Sequence, residues 1–237
     1  MVRPCTITNT DNWVRETRIG TWFLGSGLWR RYVLPEAVVD LRVLLDDNIR
    51  TGRLLDIGCG QGHSFRLIDR LFRPDSVLGI DVDPELVETG KALAARCSCA
   101  TEVRQGDATR LDLPDSSFDT IFCHQTFHHL VEQEEAAAEF FRILKPGGRL
   151  LFAESCRSFI YSWRVRLFFR HPMQVQKTAQ EYANLLRSTG FKFGAQDILT
   201  PYHWWARPDL GLMEMLGRPV REPGNSPLVC IVATRPA

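Results

Sequence analysis

Between residues 51 and 155 the chain keeps one rhythm: a short apolar run, a turn, an amphipathic stretch, then another short apolar run. Strands separated by helices pair in parallel through right-handed crossovers, so this rhythm restricts the fold severely. RLLDIG (53–58), SVLGIDVD (76–83), TEVRQGD (101–107), FDTIFCH (118–124) and RLLFAES (149–155) read as strands. The first is a buried-type apolar run, whereas the third alternates like a half-buried strand. Helices are predicted over 61–72, where Phe65, Ile68 and Phe72 share a face, and over 84–96, opened by Pro84. A third covers 132–144, with acids early and Arg142 and Lys145 late, as the helix dipole prefers; KPGG (145–148) should stop it. These signals imply a doubly wound α/β fold around a mostly parallel sheet.

The ends differ from this middle. All six tryptophans (Trp13, Trp22, Trp29, Trp163, Trp204, Trp205) lie outside 51–155, and residues 155–180 carry Arg157, Arg164, Arg166, Arg170 and Lys177 without one acid. AQEYANLLRSTGF (179–191) reads as a helix closed by Gly190, and FKFGAQDIL (191–199) with PLVCIVATR (227–235) as a closing antiparallel pair. The expected division is an N-terminal helical cap over 1–50 and a main domain over 51–237, with 155–180 and 200–226 as lid or substrate insertions.

The 237 residues suffice for one sizeable domain, and a net charge of +1 speaks against bulk electrostatic binding to nucleic acid. No apolar run approaches the roughly 20 residues that span a bilayer, and MVRPCTITNTDNW lacks the apolar stretch of a secretory signal, so a cytoplasmic address is expected. The seven cysteines show no disulfide or zinc spacing and are expected to be free thiols.

Ligands of open α/β sheets bind beyond the carboxyl ends of the strands, where strand order reverses. After the first strand come Gly58, Cys59, Gly60, Gln61 and Gly62, whose backbone N–H groups and following helix can seat a polar ligand. After the second come Asp81 and Asp83, placed to accept ribose hydroxyls. After the third come Asp107 and Ala108, where the acid either closes an Asx-turn or meets an adenine amino group. The loop is not G-x-G-x-x-G, holds no Lys or Arg and follows Asp56, so its ligand should carry a positive charge rather than a pyrophosphate.

LLDIGCGQG, GIDVDPEL, GDATRLDLPDSSFDTIFCHQTFHHL and RILKPGGRLLFAES, in this order, resemble the motifs of class I S-adenosylmethionine (SAM) dependent methyltransferases, in the small-molecule branch that includes the quinone-biosynthesis enzymes. The resemblance covers about 50–155 densely. It implies a Rossmann-like fold, SAM as cofactor, S-adenosylhomocysteine as product and no metal. By it, Asp56 and Gly58 to Gly62 would hold the methionine part, Asp81 the ribose and Val82 one face of adenine. Asp107 and Ala108 would meet the adenine edge, and His124 would lie beside the sulfonium.

The implied activity is methyl transfer to a small hydrophobic or aromatic acceptor; the alternative is a SAM-binding module without transfer. His128 and His129 are candidate catalytic residues, with a purely structural role as the other reading. Trp22, Trp29, Trp163, His203 and Trp204 are candidate acceptor contacts, since a lid of indoles suits an apolar or planar molecule; Trp22, Phe23 and Trp29 would equally dock a cap helix. SFIYSWRVRLFFRH (158–171) could touch a membrane surface or an anionic acceptor, or turn its arginines to water. Cys59, Cys123 and Cys156 fall near strand ends, but nothing in the sequence fixes them as soft-metal ligands. The sequence does not speak to oligomeric state.

Overall fold

The computed structural model describes residues 13–46, 50–220 and 224–237; Cys5 and the start of the expected cap segment lie outside the described residues. Five strands pair in parallel: β1 (Arg53–Ile57), β2 (Ser76–Asp81), β3 (Ala100–Gln105), β4 (Phe118–His124) and β5 (Leu144–Ser155). β6 (Ile198–Leu199) and β7 (Leu228–Thr234) complete the sheet, with β7 antiparallel to both β5 and β6. The order is β3-β2-β1-β4-β5-β7-β6, so the winding reverses between β1 and β4. The carboxyl ends of those two strands are where a doubly wound sheet opens its crevice.

Alternate side chains along the strands feed two cores. Ile121, Cys123, Leu150 and Phe152 face one side, where α5 (Gln133–Ile143) and α8 (Ala179–Thr189) contribute Phe140 and Tyr182. Phe122 and Leu151 face the other, where Leu41, Phe65 and Val87 come from α2 (Leu34–Val43), α3 (Phe65–Phe72) and α4 (Pro84–Ala94). Burying one such large apolar side chain contributes about 1.5–3 kcal/mol. Thr178 and Glu181 close a capping box at the start of α8, and Gly190 ends it at φ 115°.

Over the carboxyl ends of the strands lie α1 (Arg18–Leu24), a π-helical turn over Trp29–Val33 that runs into α2, and the short helices α6 (Arg157–Ile160) and α7 (Trp163–Phe168); α9 (Leu212–Met215) follows further on. Four local expectations change. The helix predicted from 61 starts at Phe65, because 58–64 form the loop itself. KPGG does not break the chain between helix and strand: β5 begins at Leu144, directly after α5, and the ladder with β4 shifts register between Phe118 and Thr120. β3 is an edge strand on which only Val103 is buried. Of the predicted closing pair, the first member shrinks to two residues.

Candidate active site

The three glycines of the first loop all take positive φ, yet for different reasons. A Cβ at Gly58 would fall 2.2 Å from the Thr126 side chain, and one at Gly62 would fall 2.6 Å from Phe65 and 3.2 Å from the backbone of Gly90. Those two are small because the protein packs on them. At Gly60 a Cβ would meet nothing within 4 Å, and Gly60 lines the open crevice. Only there does the missing side chain leave room for a ligand.

Around this opening the acids are anchored by backbone. Asp81 accepts the Gly60 N–H at 2.8 Å and the Asp83 N–H at 2.9 Å, one on each oxygen. Asp83 caps α4 through the Glu85 N–H and pairs with Arg15 at 2.9 Å. Asp107 closes an Asx-turn, taking the Thr109 N–H and hydroxyl on Oδ1, and it lines the crevice beside Val82 and Ala108. Asp56 is buried beneath the loop, its Oδ2 accepting the Ser64 hydroxyl at 2.7 Å. Burial pushes its carboxyl up to about 7, against the Ser64 hydrogen bond and with help from Asp81. Burial also raises Asp81. Asp56 and Asp81, buried and paired with no cation among the described residues, lie beside a cradle that a Cβ would fill and fit a cationic ligand that also carries hydroxyls to donate.

The crevice has two adjoining parts, of about 140 and 160 Å³. Cys59, Gln61, His63 and His124 line the first; Trp13, Asp81, Val82, Asp107 and Leu130 line the second. Burial pulls His124 down to about 4, so its imidazole is neutral beside the place a cation would take.

A larger cavity of about 390 Å³ adjoins the first part and shares with it Glu16, Leu24, Trp29 and Gln125. Its remaining wall is mainly apolar, with Phe23, Phe159, Val165 and Trp205 among the lining residues. At the junction Gln125 holds φ 52°, a conformation that costs a non-glycine residue about 1–3 kcal/mol. It is pinned by its N–H to the Ala153 carbonyl and by the Ser155 hydroxyl on its Oε1 at 2.6 Å.

Buried at the end of β5, Glu154 organises the turn after β4. Its Oε1 accepts the N–H groups of Thr126 and Phe127, at 2.9 and 2.8 Å, and its Oε2 lies 2.6 Å from His128 Nδ1. His128 thereby lines the cavity with Nδ1 engaged and with no hydrogen bond to Nε2 among the described residues. His128, His129 and His171 pack ring on ring, with centroids 4.3–5.1 Å apart, and their ligand atoms lie within 4.8 Å of one another. The rings meet at 30–40°, presenting faces to one another. A metal ion would need them turned until their lone pairs converge.

The structure thus gathers Asp56, Gly58, Cys59, Gly60, Gln61, Asp81, Val82, Asp107, Ala108 and His124 around the crevice, with Gly62 packed just behind it. Trp22, Trp29, His128 and His129 line the larger cavity. Trp163, His203 and Trp204 do not. Trp163 is exposed; His203 binds Asp40 at 2.6 Å; and of the neighbouring indoles it is Trp205 that enters the wall, its Nε1 donating to Glu36. Trp13 belongs to the crevice. Sequence reasoning missed Glu16, Gln125, Glu154 and His171. The one sequence signal for Glu154 was an acid near the end of an apolar run, and its meaning came only with the pairing of β4 and β5. Cys59, Cys123 and Cys156 are separately buried thiols, raised by burial (Cys156 to about 12).

A glycine-lined crevice ringed by acids, at the reversal point of such a sheet, stands where doubly wound α/β proteins bind their ligands. Residues 55–152 match the family described as a methyltransferase domain. Over 147 residues the chain is 29% identical to phosphoethanolamine N-methyltransferase 3 of Arabidopsis thaliana, covering 59% of the chain and 29% of that protein. Over 146 residues it is 30% identical to the demethylmenaquinone methyltransferase of Deinococcus radiodurans, covering 60% of the chain and 56% of the relative. The chain therefore spans little more than half the length of these relatives, or less. The fold superposes on a SAM-dependent methyltransferase structure from Mesorhizobium loti with a TM-score of 0.62 at 21% identity, covering 85% of this chain and all of that one. The chain thus carries a methyltransferase-domain match over residues 55–152 and shares the fold of a SAM-dependent methyltransferase structure.

Proposed function

We propose that this chain transfers a methyl group from SAM to a small apolar or aromatic acceptor. The observation that carries this reading is the shared wall: Glu16, Leu24, Trp29 and Gln125 border both the cofactor crevice and the large apolar cavity. A module that only bound SAM would need no second compartment.

Bound SAM would supply a methyl group already activated by its sulfonium, leaving the protein mainly the task of alignment, worth up to roughly 7–11 kcal/mol in ideal cases. Gly60 leaves room for the cofactor, while Asp81, held by two backbone N–H groups, keeps acceptor capacity for the sugar. Neutral His124 adds no charge to repel the sulfonium. Trp29 and Leu24 shield the junction from water. Where the acceptor carries a proton, His128 Nε2 is placed to take it, and Glu154, on Nδ1, holds the ring and offsets the charge that forms.

The two relatives named above act, by their names, on a phosphoethanolamine and on a quinone. A wall with so few charged groups suits the second kind of acceptor better than a phosphate ester. The test is calorimetry with SAM, followed by incubation with labelled SAM and a panel of phenols, quinols and amines. We expect saturable binding and label on an apolar acceptor. Failure to bind SAM refutes the reading, and binding without transfer to any extractable small molecule favours the bare binding module.

A further inference from the structure

We propose that α1 and α7 dock this protein on an anionic lipid bilayer and that the acceptor enters the cavity from that surface; the second half rests on the transferase reading, whereas the docking does not. Trp22 and Trp163 are 72% and 74% exposed, and Ile19 and Leu167 are 59% and 65% exposed. On α1, Ile19 and Trp22 stand three apart, and on α7, Trp163 and Leu167 stand four apart, so each pair shares a helix face. The two helices touch. The Thr17 hydroxyl donates to the Phe168 carbonyl at 2.6 Å, and Phe23 meets Phe169 edge-on at 5.9 Å. Large exposed apolar side chains gathered in this way mark an interaction surface.

The charge around them selects the partner. Arg18, Arg30, Arg31 and Arg166 are exposed, and among the described residues none forms an ion pair with an acid. Residues 17–35 and 155–180 contain no Asp or Glu, although the whole chain carries only +1. Positive charge is concentrated where the tryptophans emerge, the combination that favours an interface of anionic headgroups over water. Among the described residues no helix is long and apolar enough to cross a membrane, so the contact lies on the surface.

The cavity opens there. Ile19, Trp22 and Phe168 both line it and are exposed, whereas His128, Ser155 and Ile160 in the same lining are buried. An acceptor dissolved in lipid could pass along an apolar wall to the histidines without crossing water.

The full chain should be pelleted with vesicles of phosphatidylcholine alone and with added phosphatidylglycerol. Binding to the anionic vesicles, weakened as salt rises, is expected. Trp163→Ala/Leu167→Ala should lower partitioning by about tenfold, and Arg18→Glu/Arg166→Glu should abolish the anionic preference. All variants should keep wild-type far-ultraviolet dichroism and SAM affinity. Wild-type protein left in solution with both vesicle types, variants that pellet like wild type, or the same patch mediating binding to single-stranded RNA or self-association instead would overturn the docking. With total membranes and labelled SAM, label should move to the organic extract. Docking with label confined to aqueous products would overturn the lipid-soluble acceptor, and pelleting without SAM binding would refute the transferase reading and leave the docking.

Discussion

The crevice and the cavity are built differently. In the crevice each functional acid is tied to nearby backbone or a near neighbour: Asp81 to Gly60 and Asp83, Asp83 to Glu85, Asp56 to Ser64, Asp107 to Thr109. In the cavity the wall comes from α1, the turn into α2, α6, α7 and the Trp204–Ala206 turn, and it is held mostly by side-chain packing such as Phe23 on Trp29 and Phe159 on Trp205. On the proposed function, cofactor recognition would therefore be local and fixed, while acceptor selection would be distributed and open to drift by single substitutions that leave the sheet undisturbed.

Substitutions in the crevice should accordingly have the largest effects on cofactor binding. Asp81→Ala strands two backbone N–H groups and removes the acceptor for the sugar. At about 1.5–3 kcal/mol per charge-assisted hydrogen bond, SAM affinity should fall by at least about a hundredfold. Gly60→Val should do the same with the fold largely kept, because the Cβ it adds meets no protein atom within 4 Å and the positive φ strains only the loop. Calorimetry beside circular dichroism checks both; wild-type affinity in either folded variant breaks the contrast.

Next in size, His128→Ala should slow transfer by about 10²–10⁴-fold with SAM affinity unchanged, if the acceptor must lose a proton. Glu154→Gln leaves the shape of the turn but denies Nδ1 its carboxylate, so kcat should fall while the KM for SAM holds. A fall in SAM affinity instead would move this pair from the cavity side to the crevice.

Most of the crevice was legible in the sequence because its residues sit at strand ends, and strand ends follow from apolar periodicity. Asp56, Gly60, Asp81 and Asp107 needed no tertiary knowledge. Glu154 and His171 did: a buried acid inside an apolar run looks like a strand residue until its neighbours' N–H groups are seen turning toward it. Nor could sequence decide between Trp204 and Trp205, adjacent on one 3₁₀ turn, only the second of which lines the cavity. KPGG misled for a related reason, since Gly147 at φ 79° lets the strand absorb the irregularity.

The contrast can be sharpened by pH. A cationic cofactor needs Asp56 ionised, and in the free protein that carboxyl titrates at about 7. SAM affinity should therefore rise up to about tenfold per unit as pH approaches 7 from below, and level off above it. Ser64→Ala removes the hydrogen bond that opposes the shift, moving the inflection upward, and Asp56→Asn should erase it. The same group acts on stability. Its folded value lies above the unfolded 3.8, so the folded state holds the extra proton, and stability is lost between about 4 and 7 as pH rises. SAM at saturation should recover that loss.

The smallest expected effect lies in the contact between the Trp204–Ala206 turn and α2. His203 joins the Trp204–Ala206 turn to α2 through Asp40 at 2.6 Å and Glu36 at 3.4 Å. Burial disfavours its charge, but the two acids outweigh burial and raise its titration above the ordinary 6.5. A raised histidine contributes stability that is full below the unfolded value and lost as pH climbs through the folded one. For a half-buried pair this is about 1 kcal/mol or less, hence at most about 2–4 °C in a chain of this length. His203→Gln should lower the melting temperature by that amount near pH 6 and by nothing near pH 9, with SAM affinity the same at both. A deficit that persists at high pH would mean the ring works by packing, stacked on Trp205 at 5.8 Å, and its loss should then raise the acceptor KM through the cavity wall that Trp205 helps form.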